Sequence, residues 1–366
     1  MEVLLLLIVL TAFAGVLLVP ALRRRQAVKE LHTSLSGAEG VHGLVPTEDL
    51  DLRLPGPDPE LVEALGETQR TQDWRPVAQL LALTDHEGEL RWQRVQSIAG
   101  AAALELSRSR QEADPAEGKT LSRPDARWLR QWRGERPDDA GGAEVYAQFL
   151  VWQALGQPDS ADHRIVLEEA RNVAHQAREL SPHSVVPLVV ELFVARGLGY
   201  SAEEFDALWA RVTALAPHHM GAHLAALPYH SRDPQGTRER AYAFAERAAA
   251  SGTEGSLLSA LPLFAVYDHL PDVQLVRGFY QSAVVQQAIH GAQFAVQNAR
   301  HGNPVVPHVR HLLLWFLVRA EQYPEALEQL HAVDGYIGAV PWVDESDPVA
   351  AYVAYRSLAL AGREAV

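Results

Sequence analysis

The stretch Glu144–Pro182, EVYAQFLVWQALGQPDSADHRIVLEEARNVAHQARELSP, decides the fold class. Ala147, Leu150 and Ala154 fall on one face at helical spacing, and Gly156 breaks the pattern. A second periodic run follows, with Val166, Ala170, Val173, Ala174, Ala177 and Leu180 on one stripe. It closes on Ser181-Pro182, where proline cannot continue a helix. Two amphipathic helices joined by a short break make a helical hairpin.

The pattern recurs. Leu188, Leu192 and Ala195 precede a turn at Gly197-Leu198-Gly199-Tyr200, and Phe205, Leu208, Trp209, Val212 and Leu215 follow it, closing on Ala216-Pro217. A third unit has Ala222, Ala225 and Tyr229, a turn at Asp233-Pro234-Gln235-Gly236, then Ala241, Phe244, Ala245 and Ala248, closing near Ser251-Gly252. Successive closures are 35 residues apart. Upstream, Asp58-Pro59-Glu60 is a helix start: a capping carboxylate, proline at the first helical position, then an acid at the positive dipole end. Trp74, Val77, Leu80 and Leu81, then Trp92, Val95, Ile98 and Ala99, keep helical spacing. No run of period-two alternation and no Asn-Gly or Asp-Gly turn occurs, so the class is all-α.

The 35-residue spacing resembles the tetratricopeptide repeat. Small residues stand where the paired helices cross, and proline follows the second helix of the first two units. A late unit, Leu312, Trp315 and Ala320 followed by Tyr323-Pro324-Glu325-Ala326-Leu327, has the entry to a second helix typical of that family. The resemblance covers Glu144 to Gly335 and extends less fully over Asp58 to Gly134. It departs from the family where the central units lack the early tryptophan and where Ser256 to Arg300 exceeds one unit. It implies an α-solenoid of antiparallel helix pairs, with residues 347–362 as a terminal capping helix. Several stretches, among them Asp73-Trp74, Ala195 to Tyr200 and Ala216 to Leu224, resemble uncharacterised actinobacterial membrane-anchored proteins. That resemblance implies helical repeats and no known activity.

The chain has 366 residues, 48% of them hydrophobic, a net charge of −14 and no cysteine. It can bury a large core, and disulfides, thiolate nucleophiles and cysteine-held metals are excluded. The acid excess argues against nucleic acid as a partner. Val3 to Leu22 carries no charge and spans about 30 Å as a helix, the thickness of a bilayer core. Arg23, Arg24, Arg25 and Lys29 follow it. A cleaved signal peptide would carry its basic residues before the apolar stretch. The expectation is therefore a single-pass plasma-membrane anchor over residues 1–33, including a basic juxtamembrane helix, with the N-terminus outside and the bulk in the cytoplasm. Residues 1–30 hold four basic side chains against two acidic ones, so the remainder carries −16. Residues 34–57 are rich in glycine and proline and read as a tether, with Leu44, Val45, Leu50, Leu52 and Leu54 leaving an ordered strap open. Residues 58–366 form the helical-repeat body.

His219 and His223, four apart, share a helix face and fall in a cluster running from His218 to His230, a spacing that can chelate a metal. The intervening Met220-Gly221-Ala222 supplies no general base, so a metal-dependent hydrolase is the alternative rather than the expectation. Glu168-Glu169 and Glu203-Glu204 read as first-turn or solvated acids. Trp128 and Trp132, among Arg127, Arg130 and Arg133, read as a core stripe rather than a base-stacking platform. No phosphate loop or nucleophile elbow is present. The expected function is a membrane-tethered scaffold that binds a peptide or protein with a basic segment in the groove of the repeat. It has no catalytic residue, no cofactor and no metal. Membership of first helices nominates His183, Glu191, Arg196, His219, His223 and His230 as groove residues.

Overall fold

The computed structural model describes residues 43–111, 125–231, 236–271 and 277–364. The anticipated anchor with Arg23, Arg24, Arg25 and Lys29, the first part of the tether, and most of the turn at Asp233–Gly236 lie outside them. Among the described residues no helix is long and apolar enough to cross a membrane.

The described residues form sixteen α-helices and no strand. In order they are α1 (Pro59–Thr71), α2 (Arg75–Ala82), α3 (Gly88–Gln111), α4 (Arg127–Glu135), α5 (Ala140–Gly156), α6 (His163–Leu180), α7 (Val186–Leu198), α8 (Ala202–Leu215), α9 (Met220–Ser231), α10 (Arg238–Ser251), α11 (Leu261–Asp268), α12 (Arg277–Tyr280), α13 (Ala283–Asn298), α14 (Val306–Arg319), α15 (Tyr323–Val333) and α16 (Pro348–Glu364). The all-α reading holds. Its start signal works as argued, with Asp58 Oδ1 accepting the Leu61 amide at 3.0 Å; Ser201 with Glu204, an acid read only as first-turn or solvated, closes a reciprocal capping box at α8. The closures at Ser181, Ala216 and Gly252 each terminate a helix. The long segment 256–300 holds α11, α12 and α13.

Helices α5, α7, α9 and α11 stand in a row, each packed on the next. Helix α6 packs on α5 and α7, α8 on α7, and α10 on α9 and α11. The 24-residue α3 crosses the row and touches α5, α7 and α9. Its seat depends on Gly221: a Cβ there would lie 2.6–2.7 Å from ring carbons of Trp92, so only glycine lets α9 meet α3 this closely. Trp128 and Trp132 are fully buried, and Trp132 stacks on Trp74 at 5.6 Å between ring centroids, as a core stripe should.

Over residues 43–57 the expected tether is an ordered strap. Leu44, Leu50 and Leu54 are buried. Asp51 pairs with the segment after α15: its amide donates to Gly335 O and its carbonyl accepts from Ile337 N, both at 2.8 Å. Gly338 N donates to Leu54 O, and Arg356 Nη1 donates to Val45 O. The breakers misled because glycine and proline exclude a helix without excluding burial; three leucines and a set of paired backbone groups hold this segment down. The strap thus joins the start of the described chain to its last helices. A second clasp works with it, in which the Glu89 carboxylate accepts from Met220 N and Asn303 Nδ2, both at 2.6 Å.

Candidate functional site

Six residues of α3, Gln93, Gln96, Ser97, Gly100, Ala101 and Leu104, recur at helical spacing along one stripe. This stripe lines a cavity of about 640 Å³ and runs roughly 16 Å. The opposite wall comes from the helix row: Trp152 and Leu155 of α5, Phe193 and Arg196 of α7, Leu224 and Leu227 of α9, and Phe264 and Tyr267 of α11. The strap, α1 and the segment around Val343 complete it. The lining is mostly apolar, and Leu52, Val62, Leu104 and Val343 stand exposed on it. Four large apolar side chains left open to water around one cavity mark a binding surface rather than scattered surface residues.

Besides Gln93, Gln96 and Ser97 of the stripe, polar groups stand on the strap and at the α11 end. Arg53 is held bidentately by Asp51, at 3.0 and 2.7 Å. At the α11 end the Tyr267 hydroxyl donates to Asp344 Oδ2 at 3.0 Å, and Asp268 accepts from Ser231 Oγ at 3.0 Å. Burial pushes the Tyr267 hydroxyl pKa upward, and Asp344, Glu345 and Asp268 add to that shift, so all three acids act on this end of the cavity. His308 Nε2 donates to Gln93 Oε1 at 3.0 Å, which ties α14 to the α3 stripe.

Of the six residues nominated from the first helices, Arg196 alone lines this cavity. His183 is exposed at the start of the α7 unit. Glu191 is buried on another side of α7, with His175 and Arg178 of α6 and Arg211 of α8 around it. His219 packs edge-on against Trp92, and its Nδ1 accepts the Ala222 amide at 3.0 Å. His223 donates from Nδ1 to His219 O and faces Trp209 and Phe244. His230 stacks on Phe244 at 4.4 Å. Burial lowers the pKa of His219, and takes His223 and His230 to about 4, so all three rings are neutral packing elements at neutral pH.

The cluster therefore splits. His219 turns to α3, and His223 and His230 turn to α10. Among the described residues no group of three histidine or acidic side chains is placed to hold a metal. Membership of a first helix does not specify which of its three buried sides a residue takes, and this is why the nominations scattered. The signal that was missed is the run of small residues Ser97, Gly100 and Ala101 on α3, which leaves the row unfilled beside an exposed Leu104.

Comparison with known proteins adds no identity: no protein family, curated protein or solved structure matches the chain.

Proposed function

We propose that this chain is a membrane-tethered binding protein, built as a tetratricopeptide-like solenoid, that takes an amphipathic helical segment of a partner protein into the cavity beside α3 and performs no catalysis. The apolar cavity lined by one stripe of α3 carries this reading. The helix row already accepts one helix of this chain, since α3 lies across α5, α7 and α9. The cavity continues that seat and is long enough for about three helical turns. Asp268, Asp344 and Glu345 at one end favour a segment with a basic terminus, in keeping with the acidic body. The anchor over residues 3–22 and the basic collar after it would hold the site near the cytoplasmic membrane face.

The test fills the cavity from within. Gly100 lies inside α3, and a Cβ built on it meets nothing within 4 Å. Gly100→Phe places a ring in the cavity while replacing a poor helix former, so the fold persists. The full chain in phosphatidylcholine nanodiscs is titrated against a fluorescent amphipathic peptide with a leucine face and lysines at one end. Empty nanodiscs give the lipid background. Saturable binding that falls at least about tenfold in Gly100→Phe is expected. Equal binding to both proteins, or none above background, refutes the reading.

A further inference from the structure

The surface between α6 and α8 carries a second, chemically different feature. Arg171, His175 and Arg178 stand at positions i, i+4 and i+7, one face of α6. Arg211 faces them from α8. Beneath lies the carboxylate of Glu191, whose side chain is only 5% exposed. His175 Nε2 is 3.2 Å from Glu191 Oε1, Arg178 Nη1 is 3.8 Å from Oε2, and Arg211 Nη2 is 3.8 Å from Oε1. The Tyr200 hydroxyl donates to Glu191 at 3.4 Å, and Arg171 lies beside that same hydroxyl.

These contacts have an unusual balance. A paired guanidinium normally grips its carboxylate at 2.7–2.9 Å through two parallel bonds. Here neither Arg178 nor Arg211 comes closer than 3.8 Å, and Arg178 Nη1 is enclosed without a hydrogen-bond acceptor. Two guanidiniums face one buried carboxylate, with a third, Arg171, at the Tyr200 hydroxyl beside it. Of the acids near Arg171, Glu204 already accepts from the Ser201 amide and hydroxyl, and Glu168, one turn before it on α6, pairs with Arg164 at 3.0 Å. In a body carrying −16, this is a local excess of positive charge with unspent donors. It is accessible: the side chains of His175, Arg178 and Arg211 are 39%, 32% and 47% exposed.

We propose that this cluster is a binding site for a phosphate-class oxyanion, gripped by Arg178 and Arg211 with Arg171 and His175 at its edge. Two nitrogens each 3.8 Å from one carboxylate are at most about 10 Å apart, a limit that lets one phosphate, spanning up to about 8 Å between donors, reach both guanidiniums, Arg178 through nitrogens other than the enclosed Nη1. Guanidinium forks match phosphate oxygens in plane and number. Glu191 beneath them fixes the cluster's position and restrains its affinity. The site is distinct from the apolar cavity and stands or falls without it.

The experiment uses the full chain in phosphatidylcholine nanodiscs, titrated calorimetrically with inorganic phosphate, with chloride at matched ionic strength, and with dihexanoyl phosphatidic acid against dihexanoyl phosphatidylcholine. Saturable binding of inorganic phosphate is expected, weakened about tenfold by each of Arg178→Gln and Arg211→Gln. Glu191→Gln removes the competing charge and is expected to tighten phosphate binding by about tenfold. A purely structural cluster would not respond in that direction. Phosphatidic acid binding more tightly than inorganic phosphate, with the same dependence on both arginines, assigns the anion to a lipid headgroup; equal or weaker binding assigns it to a free phosphate. Heats matched by chloride, or an affinity unmoved by Glu191→Gln, overturn the proposal. Circular dichroism of each variant confirms that the fold is kept.

Discussion

Glu144 offers the sharpest test of what holds the first helices together. Its side chain on α5 is wholly buried and Arg91 on α3 is 4% exposed. Arg91 Nε donates to Glu144 Oε2 at 2.8 Å, Ser184 Oγ donates to Oε1 at 2.7 Å, and Arg91 Nη1 donates to Leu81 O at 2.8 Å. The end of α2, α3, α5 and the approach to α7 thus meet at one ion pair. Glu144→Gln keeps the shape and deletes the charge, leaving a buried guanidinium whose remaining carboxylate, Asp85, is 61% exposed. Breaking such a pair costs about 3–5 kcal/mol, and a glutamine oxygen that still accepts one bond brings the expected loss to about 2–3 kcal/mol. Arg91→Met strands the carboxylate instead. Burial pushes the Glu144 pKa up and Arg91 opposes it, so removing Arg91 raises it further. A raised carboxyl binds its proton in the folded state, so the Arg91→Met protein should be most stable below the unfolded carboxyl pKa near 4.3. It should weaken as pH rises toward the folded value, by up to about 1.4 kcal/mol per unit. The double variant Arg91→Met/Glu144→Gln removes both charges and should lose at least about 2 kcal/mol less than the two single losses combined. Urea unfolding followed by tryptophan fluorescence measures all four proteins. Single losses that simply add in the double variant would refute the coupling.

His311 on α14 donates from Nε2 to Pro55 O at 2.9 Å and accepts from Trp342 Nε1 at Nδ1, at 3.0 Å, so it must be neutral to hold the strap. Burial lowers its pKa to about 3, against about 6.5 unfolded. The stability it allows is therefore complete above pH 6.5 and is lost as pH falls toward 3, by about 2 kcal/mol at pH 5. Hydrogen exchange at the Ile337 and Gly338 amides, which bond to the strap, should accelerate at pH 5 relative to the global core once corrected for intrinsic rates; unchanged relative protection would contradict this. Gly221→Ala forces a methyl into the Trp92 ring and should cost about 1–3 kcal/mol in urea unfolding, with Trp92→Leu relieving part of it in the double variant; a neutral Gly221→Ala would mean that α3 does not sit as described.

The helices were legible because their signals are local. Asp58-Pro59-Glu60 caps α1 within three residues, and Ser181-Pro182 and Ala216-Pro217 end helices through proline's missing donor and fixed φ. The binding surface was not legible because it is made by contacts far apart in sequence. Trp92 meets Gly221, Glu89 meets Asn303, and Asp51 meets Tyr336. A stripe on α3 faces a cavity only because its neighbouring stripe, with Val95, Ala99 and Ala102, is already buried.

The same logic explains the histidines. In the pairs led by α5, α7 and α9 the first helix must satisfy a second helix, the adjacent unit and α3. His219 met the third demand, and His223 and His230 met demands made by α8 and α10. Periodicity reports that a face is buried, and it carries no label for the surface that buries it. The strap shows the converse. Leu50 and Leu54 are buried while Leu52 between them stands exposed on the cavity wall, a spacing that matches neither the period of a strand nor that of a helix. The segment is held by its pairing with residues 335–338, and that partner lies almost 300 residues downstream, where no local window reaches it. Leu52 of the strap and Val343 of the last segment line the same cavity, so a segment that fills the cavity meets both the early and the late part of the described chain. Occupancy should then protect the Ile337 and Gly338 amides as well as the α3 stripe, which couples binding at the cavity to closure of the strap.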